Sequence, residues 1–271
     1  MRCAVLGDPI DHSLSPVLHR AAYQALGLSW TYDAVRVPAG RMADFLERLN
    51  DGWRGVSMTM PLKREVLALV ADRTDRVRWA GGANTLVRED DGRLWLDNTD
   101  LPGAAAAVRE RTDAAIETVT ILGAGATAAS VGLGLCDLGA RNVRLLARSA
   151  ERAADTAAAI RAHPSQPAVD VLGLDADVVG DVVVSTVPAE AQNGPLVAAT
   201  ARADVVFEVL YHPWPTPLAR AAVERGQVLV GGLDLLVHQA ALQVEIFTGA
   251  PAPLALMRAA GERALAERAA R

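Results

Sequence analysis

Lys63 closes the stretch Ser57-Met58-Thr59-Met60-Pro61-Leu62-Lys63, after an apolar, β-favouring run from Trp53 to Val56 and before apolar-periodic residues up to Val70. The pattern predicts a strand end, a sharp turn, and a helix with Pro61 at its first position, where a missing N–H costs little. Lys63 then falls in the first helical turn, where the helix dipole disfavours a cation. A solvated surface lysine is the ordinary case. A lysine at the carboxyl end of a strand instead faces the usual ligand crevice of an open α/β sheet, and an amine there can give or take a proton at a reacting oxygen. Two further polar stretches, Ala83-Asn84-Thr85 and Asp97-Asn98-Thr99-Asp100, end or follow strand-like runs and supply candidate partners.

The elements around these residues alternate. Cys3 to Leu6 reads as a buried strand, and Ser13-Leu14-Ser15-Pro16 enters a helix running to Gly27, with Ser15 as its cap. Ser13 and Ser15 alternate before that helix start, a favourable place for a carboxylate. Trp30 to Val37 reads as a strand and Met42 to Leu49 as a helix. Leu62 to Ala71 and Thr74 to Ala80 read as helices, and Asp90-Asp91-Gly92 turns a hairpin. The first hundred residues are therefore an α/β layer structure. A polar break at 113–117 puts the domain boundary nearby, with the helix over 101–111 as connector.

The second half opens on Thr118 to Leu122, a β-rich run followed at once by Gly123-Ala124-Gly125-Ala126-Thr127-Ala128, a helix, and a strand from Asn142 to Ala147. Set between a strand and a helix, this G-x-G-x-x-A reads as a dinucleotide turn. Gly123 allows the tight turn, Gly125 lets the pyrophosphate approach, and Ala128 lets helix and strand pack closely. The second strand ends at Ala147-Arg148-Ser149, with Arg152 one helical turn on. An NAD site usually has an acid here; two arginines and a hydroxyl suit a 2′-phosphate, hence NADP.

Composition narrows the alternatives. With 271 residues, 51% apolar, the chain can fill two domains. A net charge of −5 gives no nucleic-acid footprint. Cys3 and Cys136 read as buried thiols. The five histidines, His12, His19, His163, His212 and His238, form no metal-ligand cluster, so no metal is expected. The N-terminus lacks signal-peptide features and no apolar run reaches about 18 residues, so the expectation is a cytoplasmic protein with no membrane partner.

These motifs, in this order and over nearly the whole chain, resemble the shikimate dehydrogenase family, whose members carry N/S-x-T-x-P-x-K, then N-T, then N-T-D. The resemblance implies an α/β fold of two domains. Residues 1–101 would bind substrate on a mainly parallel sheet, 102–235 would be a Rossmann-like NADP-binding domain, and 236–271 would return to the first. It implies reversible NADPH-dependent reduction of 3-dehydroshikimate to shikimate, in aromatic amino acid biosynthesis, by a monomer or homodimer. Lys63 and Asp100 would be catalytic. They would bind substrate together with Ser13, Ser15, Thr59, Asn84, Tyr211 and Gln239, the two serines holding its carboxylate. Gly123, Ala124, Gly125, Ala126, Thr127, Arg148, Ser149, Arg152, Thr186, Val209, Gly232 and Leu235 would line the cofactor. Ala147, Glu208, Asp234 and Leu235 depart from the family pattern, which usually has asparagine, aspartate, glycine and methionine there. Quinate/shikimate or aminoshikimate oxidation is the nearest alternative, and a catalytically silent NADP-binding regulator is one of another class.

Overall fold

The computed structural model describes residues 1–270. The chain divides into two compact units, Met1–Thr99 with Leu236–Arg271, and Asp100–Leu235. The first unit begins with β1 (Arg2–Gly7), α1 (Ser15–Ala25), β2 (Thr31–Arg36), α2 (Met42–Leu46) and β3 (Trp53–Met58). It continues through α3 (Leu62–Glu65), α4 (Asp75–Ala80), β4 (Thr85–Arg88) and β5 (Leu94–Asp97). Its five strands lie in the order β2-β1-β3-β4-β5. β1 is parallel to both β2 and β3, while β3, β4 and β5 pair antiparallel, so the sheet is mixed. Helical crossovers make the parallel half. The antiparallel half follows from a tight turn, where Gly92 takes φ +86° and the Arg93 N–H donates to Asp91 Oδ1 at 2.9 Å.

The second unit holds α5 (Asp100–Arg111), β6 (Thr118–Leu122), α6 (Ala126–Asp137), β7 (Asn142–Leu146), α7 (Ala150–Arg161) and β8 (Ala168–Leu172). It then adds β9 (Val182–Ser185), α8 (Gly194–Ala199), β10 (Val205–Glu208), α9 (Pro217–Glu224) and β11 (Val228–Val230). All pairings are parallel, in the order β11-β10-β9-β6-β7-β8. The chain winds outward from β6 in one direction and from β9 in the other. The carboxyl end of β6 is therefore the switch point where such sheets open a crevice. α10 (Gly232–Thr248) begins in this unit and ends in the first, which α11 (Leu254–Ala269) completes.

The first unit's core sets Leu6, Val56, Met58, Leu62, Val66, Leu86 and Leu96 against one sheet face. Phe247 of α10 is also buried; a Cβ on Gly55 would stand 2.6 Å from its ring and 2.5 Å from the Leu86 carbonyl. Any side chain at 55 therefore breaks the seat of α10.

Three local expectations change. Ser15 is the first residue of α1 and not its cap; its N–H donates to Ser13 Oγ at 3.3 Å, so the earlier serine holds the helix entrance. The run from Leu62 is one α-turn followed by a 3-10 turn at Val66–Ala68, because Leu69 and Ala71 face solvent and bring no burial to extend it. A helix of four residues has little dipole, so the predicted electrostatic cost at Lys63 largely vanishes, and Pro61 precedes the helix instead of opening it. The helix expected from Met42 to Leu49 stops at Leu46, with turns beyond it.

Candidate active site

In the first unit the polar residues converge in a buried cluster. Asn84 is 2% exposed and Thr99 fully buried. Asn84 Oδ1 accepts from the Thr99 N–H at 2.9 Å, and its Nδ2 donates to Thr99 Oγ1 at 2.9 Å and Gln239 Oε1 at 3.2 Å. The fold thus brings together two of the sequence-predicted residues, Asn84 and Gln239, from opposite ends of the chain. Lys63 belongs to the same neighbourhood: its carbonyl accepts from the Ala83 N–H at 2.8 Å, which ties the lysine turn to the residue before Asn84. A Cβ on Gly82 would lie 3.4 Å from that carbonyl, in ordinary van der Waals contact. Thr59 is half-buried above β1; its N–H donates to the Leu6 carbonyl at 2.9 Å, and its methyl fills the space where Gly7 has no side chain. Ser15 is buried and Ser13 half-buried at the start of α1.

Asp100 opens α5, where a carboxylate is favoured by the helix dipole, and it is 6% exposed. The neighbouring Asp97 is nearly inaccessible and fully engaged. It accepts from Thr74 Oγ1 at 2.7 Å, Arg76 Nη2 at 2.5 Å and the Asn98 N–H at 2.7 Å. Asn98 Nδ2 donates to the Gly82 carbonyl at 2.8 Å. These bonds brace the segment that delivers Thr99 and Asp100.

In the second unit the glycine turn sits at the carboxyl end of β6. Gly123 takes φ +105°, a region L side chains avoid, and a Cβ there would strike the Thr186 hydroxyl. Thr186 Oγ1 donates to the Leu122 carbonyl at 2.9 Å, so this threonine holds the turn from the neighbouring strand. The Ala124 carbonyl accepts from Thr156 Oγ1 at 2.9 Å. Around Gly125, at the start of α6, a Cβ would meet nothing within 4 Å. That leaves room at the amino end of α6, as an anion site requires. Ser149 caps α7 by accepting from the Arg152 N–H at 3.3 Å. Arg148 and Arg152 are exposed and make no ion pair among the described residues. A turn with room for a pyrophosphate and two unpaired guanidiniums at the next strand end fits NADP.

Farther on, Gly232 permits close passage of α10 past the carbonyls of Val209 and Leu210. Leu235 is buried and Tyr211 half-buried. Glu208 anchors the loop that carries Tyr211, accepting from Gln192 Nε2 at 2.6 Å, Thr216 Oγ1 at 2.9 Å and the Leu210 N–H at 3.1 Å. Burial raises its carboxyl above the ordinary range. Asp234 now has a structural account. It accepts from Arg111 Nη2 at 2.7 Å and Nε at 3.2 Å, and from the Gly231 N–H at 2.9 Å, clamping the start of α10 to the end of α5. Ala147 is buried.

Sequence reasoning missed Gln243 and the parts played by Thr85 and Ser57. Gln243 lies one helical turn beyond Gln239 on α10, and that i,i+4 spacing is the signal that marked it.

The switch point, the glycine turn and the cationic strand end put the second unit in the Rossmann-like class of dinucleotide-binding folds. Family comparison is more specific. The shikimate dehydrogenase substrate binding domain matches residues 5–86 and the shikimate 5′-dehydrogenase C-terminal domain residues 232–260. A shikimate dehydrogenase (NADP(+)) from Methylobacterium radiotolerans is 37% identical, covering 92% of this chain and 91% of that one. The crystal structure of Mycobacterium tuberculosis shikimate dehydrogenase has 39% identity and a TM-score of 0.88, covering 97% and 99% of the two chains. The Thermus thermophilus shikimate 5-dehydrogenase in complex with NADP(H) and shikimate has 28% identity and a TM-score of 0.86, with coverage of 97% and 99%. The chain belongs to the shikimate dehydrogenase family. Among the described residues no helix is long and apolar enough to cross a membrane.

Proposed function

We propose that this chain catalyses the reversible reduction of 3-dehydroshikimate to shikimate with NADPH, in the cytoplasm, as a monomer or homodimer. The observation that carries the reading is Lys63, the only lysine in 271 residues. Every other Lys/Arg position holds arginine, whose guanidinium stays charged and cannot cycle a proton at neutral pH. The chain keeps an amine at the one position where the chemistry calls for a proton donor and acceptor.

NADPH, when bound, supplies the hydride. The protein's own task is to bind, orient and protonate. Lys63 gives the proton to the reduced oxygen, or takes it in the reverse direction. Asp100 accepts a hydrogen bond from the same hydroxyl and orients the ammonium. Thr59, Asn84 and Gln239 hold the ring hydroxyls. Ser13 and Ser15, with Tyr211, take the carboxylate through neutral hydrogen bonds. Arg148, Ser149 and Arg152 take the 2′-phosphate, with Gly123 to Thr127 at the pyrophosphate and Thr186, Val209, Gly232 and Leu235 around the nicotinamide end.

The test is absorbance at the NADPH band with shikimate or quinate mixed in turn with NADP or NAD. Turnover is expected with shikimate and NADP above every other pair. Preference for quinate with NAD overturns the substrate and cofactor assignments. Binding of NADP without turnover on either acid identifies a sensor instead of an enzyme.

A further inference from the structure

We propose that Gln243 is a positioning residue that fixes which way the Asn84 amide faces; the inference rests on the reading of Asn84 as a substrate ligand. The two amides are joined by a directed chain of buried hydrogen bonds. Tyr32 Oη donates to Ser57 Oγ at 2.5 Å, and Ser57 Oγ donates to Gln243 Oε1 at 2.7 Å. Gln243 Nε2 donates to Thr85 Oγ1 at 2.8 Å, and Thr85 Oγ1 donates to Asn84 Oδ1 at 2.8 Å. Tyr32 and Thr85 are fully buried, Gln243 is 1% exposed and Ser57 5%.

Backbone groups set the polarity at both amides. Gln243 Nε2 also faces the Asn84 main-chain carbonyl at 3.1 Å, and a carbonyl can only accept. Asn84 Oδ1 faces the Thr99 N–H, which can only donate. A flip of either amide would set like against like in a buried site, where an unmade bond is costly. Asn84 therefore turns its NH₂ toward Thr99 Oγ1 at 2.9 Å and Gln239 Oε1 at 3.2 Å, so a substrate oxygen that meets it must share or displace one of these acceptors. Gln243 makes no such contact itself. Its effect passes through Thr85 and the Asn84 carbonyl.

The test is Gln243→Met, which keeps length and loses both hydrogen-bonding ends. The expected result is a rise of about tenfold in the KM for shikimate, the scale of one lost buried bond, with the KM for NADP unchanged. In the Asn84→Ala background the same change moves the shikimate KM less than about threefold, because its route of action is gone. Equal effects in both backgrounds, or equal losses for shikimate and NADP, overturn the proposal. If Gln243→Met folds poorly, Thr85→Val removes the linking hydroxyl at nearly constant volume and is expected to raise the same KM in the same way; an unchanged KM overturns the proposal. Parent turnover on shikimate is measured first, and its absence counts against the function reading alone. Side-chain amide exchange decides the positioning claim without turnover. The Asn84 NH₂ protons are expected to exchange at least about tenfold faster in Gln243→Met, and unaltered exchange overturns it.

Discussion

The polar residues of the first unit and those of the glycine turn in the second solve opposite problems. Asn84, Thr85, Thr99 and Gln243 are buried and satisfy one another, so their directions are set before any ligand arrives. Gly125, Arg148 and Arg152 are exposed, and their donors point to open space or solvent. A ring hydroxyl is small and neutral, so telling it from a neighbour needs fixed donors and acceptors. A phosphate is large and doubly charged, and backbone N–H groups with guanidiniums recognise it by charge and reach. The buried side should therefore resist substitution through geometry and the exposed side through charge.

The sharpest break comes at Lys63. Lys63→Ala is expected to lower kcat by roughly 10²-fold or more with KM within a few-fold, the mark of a group acting in the transition state. Lys63→Arg keeps the charge and is expected to recover little, because guanidinium does not release a proton. A normal kcat with a raised KM would make Lys63 a binding residue only.

On the exposed side, Arg148→Asp tests charge. Losing a charge-assisted contact is worth ~1.5–3 kcal/mol, so NADP affinity is expected to fall about 10- to 150-fold while NAD suffers much less. Equal losses for both cofactors, read by titration of each, would mean that Arg148 supports the fold. The two glycines of the turn then divide stability from binding. Gly123→Ala is expected to cost ~1–3 kcal/mol in unfolding free energy, since φ +105° and the Thr186 hydroxyl both oppose a methyl. Gly125→Ala has room for its methyl and is expected to leave Tm nearly unchanged while raising the KM for NADP. A reversal of that pattern would contradict the division of roles.

The last test belongs to the buried side. His19 is fully buried, stacked on Tyr32 at 3.9 Å between ring centroids, with no hydrogen bond at either ring nitrogen. Burial pushes its imidazole down to about 3 from 6.5. The unfolded chain therefore takes up a proton near pH 6.5 while the folded chain does not. Stability from this residue is full above pH 6.5 and falls as pH drops toward 3, by about 1.4 kcal/mol per unit at most. Denaturant unfolding of the parent and of His19→Phe between pH 7 and 4.5 reads the difference. Parallel curves would show that the imidazole is not held neutral.

Much of the fold was legible from local pattern. The strands Thr118–Leu122 and Asn142–Leu146 fall where the sequence places them, and the hairpin turns at Asp90-Asp91-Gly92. The glycine turn was legible because its geometry is local: strand, turn and helix are consecutive. The first helix was read correctly in kind but wrongly at its entrance, since either serine could hold it and only the backbone decides which. The run after Leu62 looked like one helix because a few apolar residues cannot distinguish an α-turn from a 3-10 turn. The bonds that orient Asn84 were not legible. Gln243 meets Ser57 across 186 positions and Asp234 meets Arg111 across 123, and no spacing rule reaches that far. Such partners appear only when the sheet has set its register.

The first unit is interrupted: its strands come from residues before Asp100, while Gln239, Gln243 and Phe247 arrive after Leu235. A growing chain emerges amino end first and each domain tends to fold as it becomes available. The middle unit is contiguous and can finish on the ribosome. The first cannot: its sheet waits, with the Gly55 notch unfilled and Asn84 undirected, until nearly the last helix has left the exit tunnel. Synthesis therefore completes the cofactor-binding half before the substrate-binding half, in reverse of their order along the gene. A released chain truncated after residue 235 should already bind NADP, yet remain open to protease attack over its first hundred residues.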